Sequence, residues 1–169
     1  EKTALLDTVD PCGVDALMAQ LESVGNVDYI VAHHAEQDHS GTIPRVLEKY
    51  RNAKVVANPN CKRLLMDLLE IPDDKFILVE DGEALSLGGK TLQFIYTPWV
   101  HWPETMVSYL QEDKVLFSCD FFGSHLATSD LFAISEAQVY EAAKVYYAII
   151  MMPFRAAIQR NLEKLKGYE

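Results

Sequence analysis

No apolar run in the 169 residues approaches the roughly 20 needed to cross a bilayer as a helix, which argues against a membrane span. Positive charge is scarce. Fifteen Lys and Arg stand against twenty-five Asp and Glu, for a formal net charge of -10. A phosphate backbone needs a basic surface, so nucleic acid is not an expected partner, and anionic membranes are disfavoured for the same reason. Cysteine is scarce too. Cys12, Cys61 and Cys119 are an odd number with no pairing pattern, which argues against a disulfide framework. Three free thiols acting as small buried hydrophobes fit a reducing cytoplasm. There is no repeat, low-complexity tract or linker, no signal peptide and no initiating Met. The first residues, from Lys2 to Asp7, read as a strand already under way, so the N-terminus is expected to have been cut from something longer.

What is present is ordinary for one globular domain: 49% hydrophobic and 24% charged residues. A strand over Thr3–Leu6 precedes a helix near Val14–Val24, with Gly25 as its C-cap. Tyr29–Ala32 and Lys54–Ala57 are short apolar runs suited to buried strands. Between them lies a polar loop, His33 to His39, and then a helix near Thr42–Tyr50. Asn58-Pro59 supplies an N-cap and a first-turn proline for a helix through Leu69. From Lys75 the texture changes to five short strands, Phe76–Val79, Ala84–Leu87, Thr91–Thr97, Thr105–Leu110 and Val115–Ser118. Asp81-Gly82, Gly88-Gly89 and Glu112-Asp113 punctuate them. Ser135-Glu-Ala-Gln138 resembles a capping box opening a helix that Pro153 ends, and a last helix runs to about Lys166. Helices and strands mixed in this order fit an α/β sheet structure covered by helices.

The histidines carry the chemistry. There are five, His33, His34, His39, His101 and His125, and none falls in residues 40–100 or after 125. Three lie within seven residues, interleaved with Glu36 and Asp38. The first group follows the strand Tyr29–Ala32, His101 follows Phe94-Ile-Tyr96, and Asp120 follows Leu116-Phe-Ser-Cys119. Three strand ends can deliver ligands to one sheet edge, where α/β folds place their sites. Several carboxylates on one short loop repel and are costly to bury, and a cation removes both problems. Imidazole with carboxylate suits iron, zinc or manganese better than copper(I). The bland alternative for His34 to His39 is a solvated polar loop before a helix. Bound cations would also offset part of the net negative charge.

The spacing has a family look. The pattern H-x-E-x-D-H over His34 to His39, sixty-one residues before His101 and eighteen more before Asp120, resembles the flavodiiron family within the metallo-β-lactamase superfamily. Leu5-Leu-Asp-Thr-Val-Asp10, Thr97-Pro-Trp-Val-His-Trp-Pro-Glu104, Leu116-Phe-Ser-Cys-Asp-Phe-Phe-Gly123 and Tyr146-Tyr-Ala…Met151-Met-Pro-Phe154 resemble blocks of the same superfamily. The resemblance implies a metallo-β-lactamase-like αβ/βα sandwich, with mixed sheets covered by helices, in an incomplete copy. It implies two non-haem irons. His34, Glu36, His101 and Asp120 would bind one. Asp38, His39 and Asp120 would bind the other, with Asp120 bridging. Tyr146 or Tyr147 would donate a hydrogen bond to a bound gas, with packing on a helix as the alternative for both.

Glu36 discriminates within the superfamily. Most hydrolytic members have His there and bind zinc, whereas a carboxylate makes a harder, more anionic site that favours iron. The implied activity is reduction of O2 to water, of NO to N2O, or of both. Electrons would come from an FMN domain, in a head-to-tail homodimer fed by a rubredoxin-like or flavodoxin-like donor. Two other readings stand beside it: a zinc-dependent hydrolase in which Asp38 orients a metal-bound hydroxide, and an oxygen-binding sensor module without turnover. The family's first hairpin, its last histidine ligand and its flavodoxin-like domain have no counterpart in residues 1–169. His125 lies too early to replace that histidine by alignment. Among lesser residues, Cys119, next to a ligand, is expected to pack in the core rather than to serve as a thiolate ligand, because neighbouring strand residues face opposite ways. His33 is expected behind the ligands or at the surface, His125 as a hydrogen-bonding group near the site or a plain loop residue, and Trp99 and Trp102 as an apolar wall beside His101, with ordinary core burial as the alternative.

Overall fold

The protein is described by a computed structural model, which covers residues 1–130, 132 and 135–168. Two four-stranded sheets lie at its centre. The first joins β1 (Ala4–Leu6), β2 (Tyr29–Val31), β3 (Lys54–Ala57) and β4 (Phe76–Leu78) in that order, every pair parallel. The second is an antiparallel meander of β5 (Ala84–Ser86), β6 (Thr91–Tyr96), β7 (Met106–Leu110) and β8 (Val115–Phe117). Parallel neighbours need crossovers, and helices α1 (Val14–Gln20), α3 (Ile43–Lys49) and α4 (Pro59–Leu69) supply them. A short helix α2 (Gln37–Ser40) precedes α3, and α5 (Glu136–Tyr146) and α6 (Arg155–Leu165) follow the meander.

Side-chain alternation sorts the apolar residues into three layers. Ile30, Ala32, Val55 and Ala57 face the first helical layer and pack with Leu17, Val46 and Leu65. Their neighbours Val31 and Val56 face the other way and meet Phe94, Leu92 and Met106 between the sheets. Ile95 and Val107 then face outward, against Tyr146, Met151 and Leu165 of the C-terminal helical region. The order is helices, sheet, sheet, helices. Strands buried on both faces have no polar side to show, which is why β2 and β3 read as continuous apolar runs.

The strands lie within a residue of their sequence-based bounds, and α4 begins at its expected cap, with Asn58 accepting from the Cys61 N–H. Three expectations change. The first helix stops at Gln20 and tightens into a 3₁₀ turn over Leu21–Ser23, and the chain extends at Val24, so Gly25 is not its C-cap. The stretch before α3 is partly helical: α2 carries Asp38 and His39. It seats closely because Gly41 has no Cβ; one there would lie 2.6 Å from both the Gln37 carbonyl and Pro11 Cδ. The helix capped by Ser135 ends at Tyr146 and passes through a π-turn over Tyr147–Met151 before Pro153. Among the described residues, no helix is long and apolar enough to cross a membrane.

Candidate metal centre

β1 and β2 run parallel, and β6 and β8 both run antiparallel to β7. The segments leaving all four strands converge on one edge. β1 delivers Asp7, β2 delivers His33 and His34, the turn after β6 delivers His101, and the 3₁₀ turn Cys119–Phe122 after β8 delivers Asp120. Three of these positions are held with positive φ by non-glycine residues: Asp7 (54°), Trp99 (64°) and Cys119 (50°). That left-handed region is costly for an L side chain, and such residues gather where a fold aims groups at a site.

His34, Glu36, His101 and Asp120 each offer one ligand atom, all within 4.8 Å of one another. Glu36 Oε2 lies 3.2 Å from His34 Nε2 and 3.0 Å from His101 Nε2. Asp120 Oδ2 lies 3.6 and 3.7 Å from the same two nitrogens. Its other oxygen, Oδ1, faces away to His39 Nε2 at 3.0 Å, and Asp38 Oδ2 is 3.6 Å from that nitrogen. One carboxylate thus turns one oxygen to each of two donor groups. All six residues singled out as ligands in the sequence meet at this edge.

The imidazoles of buried His34 and part-buried His39 are each gripped from behind. His34 Nδ1 is 2.7 Å from Glu104 Oε1, and His39 Nδ1 is 3.2 Å from Asp7 Oδ2. In a metal-bound centre a proton kept on Nδ1 for that acceptor would leave Nε2 its lone pair for the ion. In the metal-free protein His39 Nε2 faces the Asp120 carboxylate, a contact that needs a proton between them. Asp7 also accepts from the His33 N–H at 2.8 Å and lies 3.1 Å from His33 Nδ1, and His33 Nε2 meets Ser108 Oγ at 2.8 Å. Thr8 completes the clamp, its N–H and hydroxyl both donating to the His39 carbonyl. Asp7 and Glu104 were not singled out in the sequence beyond their motif blocks. A lone carboxylate after a short strand gives no local sign of its partners.

The electrostatics follow from this geometry. Burial opposes ionisation of Asp7, but the charge and hydrogen bond of His33 and the bond from His39 outweigh it and hold Asp7 well below the usual carboxylate range. Asp120 and Glu104 are likewise lowered, burial being overcome chiefly by His39 and by His34. Burial also resists charging His39, but its bonds to Asp120 and Asp7 raise it far above an ordinary imidazole. A cluster of carboxylates that stay ionised while partly buried is what a cation site requires.

The ligands open onto a cavity of about 320 Å³, lined also by Gly123, Ser124, His125, Tyr146 and Ile150. Of the two tyrosines, Tyr146 borders this cavity, whereas Tyr147 faces a separate apolar groove with Phe122, Tyr140 and Met152. Tyr147 is therefore not placed to touch a ligand of the centre. Burial and the charge of Asp120 raise the Tyr146 phenol, which keeps its O–H as a donor. His125 sits edge-on to Tyr146 at 4.8 Å between centroids. Trp102 packs against His34 at 5.1 Å, while Trp99 stacks on Phe154 and is half exposed. Cys119 is part-buried but lies outside the three apolar layers: β8 ends at Phe117, so strand alternation no longer applies, and its sulfur lies 3.5 Å from His39 Nδ1. Burial pushes that thiol up to about 12.

Comparison with known proteins places the chain in a family. A family model described as ODP family beta lactamase matches residues 1–169. The anaerobic nitric oxide reductase flavorubredoxin of Pectobacterium carotovorum is 35% identical over 175 residues, covering 99% of this chain and 35% of that protein. The nitric oxide reductase of Moorella thermoacetica is 34% identical, covering 98% and 43%. Among solved structures, the flavodiiron protein from Giardia intestinalis superposes with a TM-score of 0.94 at 31% identity, over 98% of this chain and 42% of that one. The rubredoxin oxygen:oxidoreductase of Desulfovibrio gigas gives 0.93 at 33%, over 98% and 43%. The chain spans less than half the length of each of these relatives. By fold, by coverage and by similarity, it belongs to the ODP family of β-lactamase-like domains, as the diiron domain of the flavodiiron proteins.

Proposed function

We propose that this chain is the metal-holding part of an oxygen or nitric oxide reductase. The observation that carries the reading is Asp120, whose two oxygens face two separate histidine sets, one at His34 and His101 and one at His39. The donor chemistry fits a pair of iron ions: imidazole and carboxylate, with no sulfur among the six. His34, Glu36, His101 and Asp120 would hold the first ion, and Asp38, His39 and Asp120 the second. When bound, the two irons would supply two electrons together, which with two protons suffices to pair two NO into N2O and one water, whereas taking O2 to two waters would need two further electrons from the donor and four protons.

The remaining roles belong to the protein. Asp120, with one oxygen turned to each donor set, would fix the spacing of two ions. Asp7 and Glu104 fix the orientation of the imidazoles. Trp102 walls off water beside His34 and His101. Tyr146, at the cavity wall with its hydroxyl protonated, orients a bound gas by donating a hydrogen bond. No protein nucleophile is needed.

The relatives are more than twice as long, and the parts beyond this chain are proposed to include the final histidine ligand of the second ion and a flavodoxin-like FMN domain. A homodimer would bring that flavin to a partner's irons, with a rubredoxin-like or flavodoxin-like protein as donor. Three free thiols fit a cytoplasmic setting.

The test is anaerobic titration of the chain with ferrous iron, with elemental analysis of the product and anomalous scattering from crystals. Iron held at His34, Glu36, His101 and Asp120, a second and weaker iron at Asp38, His39 and Asp120 that fills at higher iron concentration, and consumption of O2 or NO when a chemical reductant is added are the expected results. Zinc retained in preference to iron, or a stable oxygen adduct without turnover, would overturn the proposal.

A further inference from the structure

Glu104 is the most deeply buried carboxylate among the described residues, 1% exposed, and it touches no position proposed for a cation. Its Oε1 takes the His34 imidazole at 2.7 Å and the Ala35 N–H at 3.0 Å. Its backbone carbonyl accepts from the side chain of Asn58, the residue that caps α4. Its other oxygen, Oε2, is buried and has no hydrogen-bond partner among the described residues. Behind it lies a small cavity of about 130 Å³ bordered by Asn58, Glu80, Tyr96 and Thr105.

Orienting an imidazole needs only an acceptor, and a backbone carbonyl would serve without charge. A buried carboxylate with one oxygen unpaired is a far costlier choice. What the carboxylate adds is a full negative charge transmitted through the ring of His34. Glu36 and Asp120 already bring two carboxylates to the same place, so Glu104 supplies a third, one ring removed.

We propose that Glu104 is a positioning residue that tunes the first ion of the pair, strengthening His34 as a donor and favouring trivalent over divalent iron. The inference rests on the two-iron reading above.

The variant Glu104→Gln separates charge from shape. Glutamine retains an oxygen for both hydrogen bonds and sets its amide where Oε2 stood. Two measurements are made on the anaerobic chain with ferrous iron as the probe: affinity against a chromophoric chelator, and the ferric/ferrous potential by spectroelectrochemistry. Loss of a partner of this kind typically weakens metal binding about 10–100-fold. The expected result is a drop in that range at one of two sites, with the potential moved positive and two irons still bound at saturation. Glu104→Asp, which retains the charge but shortens the reach, should weaken affinity while leaving the potential near that of the unaltered protein. That variant carries the test if the glutamine form does not fold. Unchanged potential in E104Q, or a potential shifted equally in E104D, overturns the inference. An unaltered chain that binds no iron overturns the underlying two-iron reading instead.

Discussion

Replacing Asp7 with Asn tests how the centre is held together. Asp7 accepts the His33 N–H at 2.8 Å and faces two imidazole nitrogens, His33 Nδ1 at 3.1 Å and His39 Nδ1 at 3.2 Å. Asparagine can retain the backbone bond through its one oxygen. Its NH2 then meets two ring N–H groups, and donor faces donor. Breaking a buried charged pair from one side costs about 3–5 kcal/mol, which is a large part of a typical domain's stability of about 5–15 kcal/mol. The loss should appear as a lower urea midpoint with unchanged slope for metal-free D7N near pH 6.

The pH dependence gives that loss a signature. Asp7 is lowered in the folded protein, so its contribution is fully present above its unfolded value, near about 4, and is lost as pH falls through the folded value. His39 is raised, so its contribution is fully present below about 6.5 and is lost only as pH rises through its folded value. The gap between the two proteins should therefore be wide at pH 5–6 and narrow progressively below about pH 4. A gap under about 1 kcal/mol at pH 6, or one that does not change on acidification, would refute the role assigned to Asp7.

Three other outcomes follow from the structure. Gly123→Ala puts a Cβ 2.9 Å from Tyr146 Cε1 and 3.1 Å from the Asp120 carbonyl, so it should cost about 1–3 kcal/mol in denaturant and weaken NO binding to the iron-loaded chain by displacing the tyrosine. Asn58→Ala removes the α4 cap and the bond to the Glu104 carbonyl, and about 1–2 kcal/mol should be lost in urea melts, with ferrous affinity reduced as well. Ferrous iron at 100 times its dissociation constant should stabilise the chain by about 2.7 kcal/mol, read as a raised Tm that a chelator reverses; a Tm indifferent to iron would contradict a site formed only in the native state.

Much of this fold could be read from the chain because local and global preferences agree. Ile30-Val31 and Val55-Val56-Ala57 are apolar on both faces because both faces are covered, and Asn58-Pro59 is a helix start whatever surrounds it. The convergence of His34, Glu36, His101 and Asp120 was legible from spacing after strand ends together with the family pattern. What stayed hidden depends on packing alone. Nothing local says that Gln37–Ser40 winds into a turn of helix against Pro11, or that Tyr146 rather than Tyr147 borders the cavity, since a π-turn sets which way each one faces. The buried partners were the least visible. Glu104 is 70 residues from His34 and Asp7 is 32 from His39, and each looks like any other carboxylate until the sheets are stacked.

Those separations shape how the protein acquires its centre. His39 and Asp120 lie 81 positions apart, and His101 and Glu36 lie 65 apart. An unfolded chain can offer a cation only the short stretch from His34 to His39, a weak claw at best. The remaining grip exists only after both sheets have closed, long-range pairings of the kind that form slowly. Ion capture is therefore a late event that rewards a completed architecture, and damage far from the rim, in any strand that aims a ligand, should register as a leaking metal before it registers as a collapsed protein.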